Sequence, residues 1–398
     1  MRDHRRPRTT AIPIGALALA LALTLTTAGT AAADPLEPGD ERPAPPPPSL
    51  PAPTGDLAVG TTTLHLVDGT REDPWLGGDR ELMVTLWYPT PEDTGERAPY
   101  MTRAEAEASL AVLGIEGLPP ETLTDVGTHA VPEAPPVAVD GGLPLVLYSP
   151  GSGVSRVWAT GLAEELASQG FAVAGIDHRN EASPVEFPDG LVEECAGCLS
   201  QEWESGALTR SADVSFLLDS FGRGAAREWA PILDTDGVGM IGHSWGGAAV
   251  AQSLLDEERV AAGLNLDGPY YTAQLEGEID RPLALLANDQ GRPWEGWDER
   301  WAGQTGWRQW IRITDSGHSN VLDKGVFMDE LGLRDLLTPE QWRAQFGDLD
   351  PARGIFLIRE YSTALFAHHL RGEERPLLED PEAVHPELVV VASGTPAP

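Results

Sequence analysis

The stretch Gly237-Val238-Gly239-Met240-Ile241-Gly242-His243-Ser244-Trp245-Gly246-Gly247, followed by the small-residue run Ala248 to Ala251, constrains the fold more than any other part of the chain. A short apolar run meets Gly-x-Ser-x-Gly and then residues suited to a helix, the pattern of a strand, an abrupt turn and a helix. Glycines two before and two after Ser244 allow the backbone to reverse sharply, so that the hydroxyl stands clear of a sheet at a helix N-terminus. The pattern predicts a nucleophilic serine if the rest of the chain supplies partners for it. A Gly/Ser-rich loop with no chemistry is the alternative.

The surrounding sequence alternates short apolar runs with helical patterns. Leu143 to Tyr148, Phe171 to Ile176, Val238 to Ile241, Ala261 to Leu266, Pro282 to Ala287 and Trp310 to Ile313 read as strands. Val157 to Ser168, Leu208 to Phe221 and Pro351 to Leu370 read as helices, the last closing the layer. Runs this short and apolar, bracketed by helices, imply a mostly parallel sheet covered on both faces, with its ligand site at the carboxyl ends of the strands. Earlier, Thr61 to Val67 and Glu81 to Tyr88 alternate like antiparallel strands at a sheet edge, and Met101 to Leu113 has helical periodicity.

The termini do not share this pattern. Arg2, Arg5, Arg6 and Arg8 precede an uncharged, Ala- and Leu-rich run from Thr9 to Thr30, and Ala31-Ala32-Ala33 offers a small-residue cleavage site. Residues 1–33 therefore read as a secretory signal peptide and the protein as secreted, without stable membrane insertion. Residues 34–54 are dominated by proline and read as an extended tether, which leaves 55–398 as one catalytic domain. The formal net charge is −35, and removal of the leader takes it to about −38. With Lys324 as the sole lysine, such a surface repels nucleic acid. Export also makes a disulfide the expected state of the two cysteines, Cys195 and Cys198. No second Cys or His pair completes a metal site, and no P-loop lysine follows the Gly-rich turn at Gly151 to Gly153.

A serine nucleophile needs a base, an acid that orients the base, and donors for an oxyanion. Of the nine histidines, His318 follows the last of the parallel strands, where the base is expected. Asp267 and Asp289 both lie just beyond strands between Ser244 and His318, and position alone does not separate them as the acid. The oxyanion donors are expected in the backbone N–H of Trp245 and in the loop Ser149-Pro150-Gly151-Ser152-Gly153-Val154. Trp294, Trp297 and Trp301 recur at helical spacing; the expectation is an aromatic face packed on the sheet, with an acyl or lipid pocket as the alternative.

Several of these runs together resemble the platelet-activating-factor acetylhydrolase family of α/β-hydrolases. The likeness is carried by Leu145 to Gly153, by Leu166 to Val173 with the following Asp177-His178-Arg179, and by Gly242 to Gly247. Asn265-Leu266-Asp267-Gly268 and Gly317-His318-Ser319-Asn320 complete it, in family order. The resemblance implies Asp267 as the acid and Ser152 and Trp245 as the oxyanion residues. The chain departs from the best-known members at Pro150, where a histidine is usual, and in its cysteine loop and acidic, Trp-rich segment. The expectation is a cofactor-free serine esterase of the α/β-hydrolase fold acting on a small-molecule or lipid ester. A polyester or cutin-type hydrolase and a non-catalytic binding protein on the same scaffold are the alternatives.

Overall fold

The strands that read as apolar runs form the centre of one ten-stranded sheet. The computed structural model describes residues 47–289, 294 and 296–394; the expected signal peptide lies outside them. In chain order the strands are β1 (Ala58–Glu72), β2 (Asp79–Thr90), β3 (Val131–Pro132), β4 (Leu143–Ser149) and β5 (Ala172–His178). They continue with β6 (Leu233–His243), β7 (Val260–Leu266), β8 (Leu283–Ala287), β9 (Arg308–Ile313) and β10 (Leu388–Gly394). Their order across the sheet is β10-β9-β8-β7-β6-β4-β5-β2-β1-β3. From β9 to β5 every pairing is parallel. β2 joins β5 antiparallel and carries the long hairpin partner β1, as the alternating pattern of both strands implied.

β10, not anticipated as a strand, runs antiparallel to β9 at the opposite edge. Its run Leu388-Val389-Val390-Val391 is β-rich, but only Leu388 is buried, because an edge strand needs to cover one neighbour only.

Two apolar layers follow from the two-residue period of the central strands. In β4, Leu145 and Leu147 face one layer, with Val214, Leu217 and Phe221 of helix α1 (Trp203–Arg223) and Val250 and Leu254 of α2 (Trp245–Asp256). Val146 and Tyr148 face the other, with Leu162 and Leu166 of the helix at Thr160–Ser168 and Leu357, Tyr361 and Phe366 of the helix at Pro351–Arg371. Because each of these strands is covered on both sides, the only free positions for polar side chains are the strand ends.

Residues 47–54, read from the sequence as the end of a tether, lie against the domain. Leu50 is buried in an apolar cluster with Tyr100, Trp158 and Phe327. The Leu50 N–H donates to Gly127 O at 2.9 Å, and the Gly127 N–H donates to Pro48 O at 2.9 Å. Arg359 holds the segment through Pro51 O at 2.9 Å. Proline makes this segment extended, but an extended strap packs once a groove with matched acceptors is present.

Beneath that strap, Glu164 and Asp323 are both buried. Burial pushes each carboxyl up to about 7, against the N–H groups of His129 and Ala130 on Glu164 and of Gly161 on Asp323. A carboxyl that binds its proton more tightly folded than unfolded contributes stability at low pH. That contribution is lost as pH rises from the unfolded value near ~4 through about 7. Asp323→Asn is expected to flatten the fall in Tm between pH 5 and 8 by about 2–4 °C. An unchanged slope in thermal melts across that range would contradict the assignment.

Candidate active site

The backbone at Ser244 is bent by the close approaches that the surrounding glycines permit. Ser244 has φ 53° and ψ −119°, a left-handed value unusual for a residue with a Cβ. A Cβ on Gly242 would lie 2.0 Å from Gly246 O, and one on Gly246 would lie 2.0 Å from Ser149 O. Neither position tolerates a side chain, which explains the two glycines of the motif. The Ser244 N–H donates to Leu266 O at 2.9 Å, locking the turn to β7. His243 pairs with Leu266 in the β6–β7 ladder, so Ser244 and Asp267 leave adjacent strands at the same level. Ser244 is half-buried and stands at the N-terminus of α2, whose dipole favours developing negative charge.

Asp267 meets His318 directly: Oδ2 lies 2.5 Å from Nδ1. The carboxylate is set by its backbone and by a neighbour from β8. Asp267 has φ 55°, and its N–H donates to Leu286 O at 2.8 Å. The Asn288 N–H donates to Oδ1 at 3.2 Å, and the Asn288 side-chain amide donates to Oδ2. Asn265 clamps the following turn through both its amide atoms, at 2.7 and 3.0 Å from Gly268 N and O.

Asp289 is engaged elsewhere. It pairs with Arg312 at 3.3 Å and accepts from the Asp315 N–H at 3.1 Å, so it supports the base of the His318 loop. Of the two aspartates left open by strand position, Asp267 is the one hydrogen-bonded to the imidazole.

The His318 loop is stapled from outside by the helix at Pro339–Phe346, which was not anticipated from sequence. The His318 N–H donates to Ala344 O at 3.1 Å, and Asn320 donates to Phe346 O and Leu349 O. On the inner side, His243 Nε2 donates to His318 O at 2.9 Å, and the two rings lie 4.8 Å apart. Burial, then the neighbouring His318, drives the His243 imidazole down to about 3, so it is neutral and the N–H sits on Nε2. His178, at the end of β5, is fully buried. It reaches Asp213 at 2.8 Å and Ser149 Oγ at 3.0 Å, a serine-histidine-aspartate chain sealed from any substrate.

The loop expected to supply an oxyanion donor passes against Ser244. A Cβ on Gly151 would lie 3.2 Å from Ser244 Cβ. The backbone N–H groups of Ser152 and Trp245 donate to no other described residue. The Ser152 hydroxyl donates to Cys198 Sγ at 2.8 Å, and Cys198 is joined to Cys195 in a disulfide as anticipated. The cysteine pair is therefore a wall of the Ser152 loop.

The tryptophans divide between the two expectations. Trp297 is buried, donates to Gly268 O at 2.7 Å and packs on Trp310 at 5.2 Å; Trp301 packs on the same ring at 6.3 Å. Trp294 differs: it precedes the short helix Trp297–Ala302, is 38 % exposed, and meets the His318 ring edge-on at 5.9 Å. A shared helical face for all three was expected; the helix begins too late to include Trp294.

Sequence and fold comparisons agree with this architecture. The family described as "Platelet-activating factor acetylhydrolase, isoform II" matches residues 47–189. A "Probable 1-alkyl-2-acetylglycerophosphocholine esterase" of Arthroderma benhamiae is 26% identical over 370 residues, covering 85% of this chain and 93% of that protein. The platelet-activating factor acetylhydrolase of Gallus gallus is 24% identical over 370 residues, covering 81% of this chain and 83% of its own. Among solved structures, a ferulic acid esterase from Streptomyces cinnamoneus is similar with a TM-score of 0.78 and 38% identity, over 87% of this chain and 99% of that one. The family model ends before the elbow, whereas each of these two relatives matches more than four fifths of this chain. The chain belongs to the platelet-activating factor acetylhydrolase family of α/β-hydrolases and is a carboxylic ester hydrolase.

Proposed function

We propose that the protein is a secreted serine esterase in which Ser244 is the nucleophile, His318 the general base and Asp267 the group that orients it. The observation that carries this reading is the 2.5 Å hydrogen bond between Asp267, at the end of the strand beside the elbow, and His318, in the loop after β9. His318 takes the Ser244 proton as Oγ attacks the ester carbonyl, then gives it to the leaving alkoxide as the acyl-enzyme forms. Water, deprotonated by His318, attacks the acyl-enzyme; collapse returns the proton to Ser244 and releases the acid. Asp267 holds Nδ1–H throughout and offsets the charge of the imidazolium. The N–H groups of Ser152 and Trp245 receive the oxyanion in both tetrahedral intermediates.

The substrate reading is a short-acyl ester, with the acetyl-phospholipids named for the relatives as one class. A second reading, hydroxycinnamoyl esters, is favoured by an open cleft of about 290 Å³ lined by Trp203, Tyr271 and four neighbours. That cleft adjoins the elbow, because Trp245 Nε1 donates to Trp203 O at 2.7 Å. The name of the Streptomyces cinnamoneus structure points the same way. A panel of p-nitrophenyl acetate, p-nitrophenyl decanoate, methyl ferulate and an oxidised-tail phosphatidylcholine separates the readings. Hydrolysis of the acetyl ester and the oxidised phospholipid at kcat/KM at least ~10-fold above the ferulate supports the first; the reverse order supports the second. Turnover of none of the four would contradict the esterase reading.

Secretion is read from the basic, apolar and small-residue pattern of residues 1–33, with which an oxidised Cys195–Cys198 pair is compatible. Recovery of exported protein beginning at Asp34 is expected, and a retained leader would count against it.

A further inference from the structure

Behind the two amide groups of the site lies a set of charged side chains sealed from solvent. Arg80, Glu181, Arg210 and Asp213 are each fully buried, and Asp73 is nearly so. Arg80 reaches Asp73 at 2.7 Å, Glu181 at 2.8 Å and Asp213 at 2.7 Å. Burying this many charges is costly, and a well-packed apolar substitute is commonly as stable, so the network is weak evidence for a purely stabilising purpose.

Its reach toward the active site is specific. Arg210 Nε donates to Glu181 Oε2 at 2.6 Å, and Nη1 donates to Pro150 O. The same guanidinium lies 4.3 Å from the centre of the Trp245 indole. Glu181 grips the other side of the loop, because its backbone O accepts from the Gly153 N–H at 2.9 Å. One side chain thus touches both segments that carry the proposed oxyanion N–H groups: the Pro150–Gly153 loop through a carbonyl and Trp245 through its ring.

We propose that Arg210, held by Glu181, is a positioning residue that sets the orientation and separation of the Ser152 and Trp245 N–H groups. The proposal rests on the oxyanion reading above and adds to it. Arg210 fixes the Pro150–Gly151 peptide and the Glu181 carbonyl fixes the Ser152–Gly153 peptide, so the peptide between them, which carries the Ser152 N–H, is held from both sides. Stacking on the indole fixes the residue carrying the second N–H. The charge itself is offset within the network, since Asp73, Glu181 and Asp213 outnumber Arg80 and Arg210, so the effect is one of geometry and not of a positive field on the oxyanion.

The test compares Arg210→Lys with the wild-type protein on p-nitrophenyl acetate, alongside Tm and the Ki of an aryl trifluoromethyl ketone. That ketone forms a tetrahedral adduct needing both N–H groups. Lysine keeps the charge but presents a single point donor in place of the planar fork. The expected result is a fall in kcat of about 10–100-fold with KM within about twofold, and a rise in Ki that parallels the fall in kcat. A folded Arg210→Lys with unchanged kcat and Ki overturns the proposal, as does a kcat loss with no change in Ki. If that variant does not fold, Arg210→Met combined with Glu181→Gln removes both buried charges together and is read by the same criteria. Full turnover by Ser244→Ala would instead overturn the serine-esterase reading, so the two failures are distinguishable.

Discussion

Ser244→Ala is expected to lower kcat on p-nitrophenyl acetate by about 10⁶-fold while leaving Tm within about 1 °C. The size of the effect follows from the proposed mechanism, in which Ser244 is the sole nucleophile. Ser149, hydrogen-bonded to His178, is fully buried and cannot take over the attack. What remains after removal of the hydroxyl is binding and the two N–H groups, worth roughly 10³–10⁴ over water in comparable sites. Stability should be nearly unaffected because alanine adopts the φ of 53° as readily as serine and no hydrogen bond of the Ser244 side chain holds the elbow. The anchors of the turn are backbone: the Ser244 N–H to Leu266 O and the Gly247 N–H to Ser244 O. Retention of more than a hundredth of wild-type turnover in a steady-state assay would contradict the assignment.

Asp267→Asn is expected to lower kcat by about 10⁴-fold with little change in KM. An asparagine amide turned toward His318 favours the imidazole tautomer with its proton on the wrong nitrogen, so the base no longer faces Ser244. Asn288 adds to the loss, since its N–H and side-chain amide donate to the two oxygens of the 267 carboxylate, and an amide there leaves one of those donors facing an NH2 group. The contrast is Asp289→Asn. Its pairing with Arg312 is half-exposed, a setting where an ion pair contributes roughly 0–1 kcal/mol, so kcat is expected within about fivefold of wild type. Comparable losses in both variants would mean that the carboxylates act as a pair; a loss confined to Asp289→Asn would reverse the assignment.

The parts of this architecture that could be read from the chain are those fixed by local chemistry. Apolar runs such as Leu143 to Tyr148 declared buried parallel strands because each must be covered on both faces, and the observed strand runs Leu143–Ser149. The elbow was legible for a similar reason: Gly242 and Gly246 stand where a Cβ would strike backbone atoms. What was not legible depends on partners distant in sequence. Asp267 and Asp289 sit at equivalent strand ends, and only the path of the His318 loop decides which one meets the imidazole. The helix at Pro339–Phe346 begins with Thr338 and Gln341 in a capping box, a local signal, but its function of stapling His318 shows only in space. Arg210 looks like any arginine on an amphipathic helix until Pro150, Glu181 and Trp245 are seen around it. The strap at 47–54 was obscured by its prolines, which report backbone conformation and say nothing of what Leu50 packs against.

The claim on which the rest depends is that Ser244 is activated by His318 and Asp267. A fluorophosphonate reacts only with a serine made nucleophilic by such a partner, and intact-mass analysis with peptide mapping locates the adduct. A single adduct per chain is expected, on the peptide containing Ser244, formed in step with loss of esterase activity and abolished in Ser244→Ala. An unlabelled chain that still hydrolyses p-nitrophenyl acetate, or an adduct on another residue accompanying the loss of activity, would contradict it.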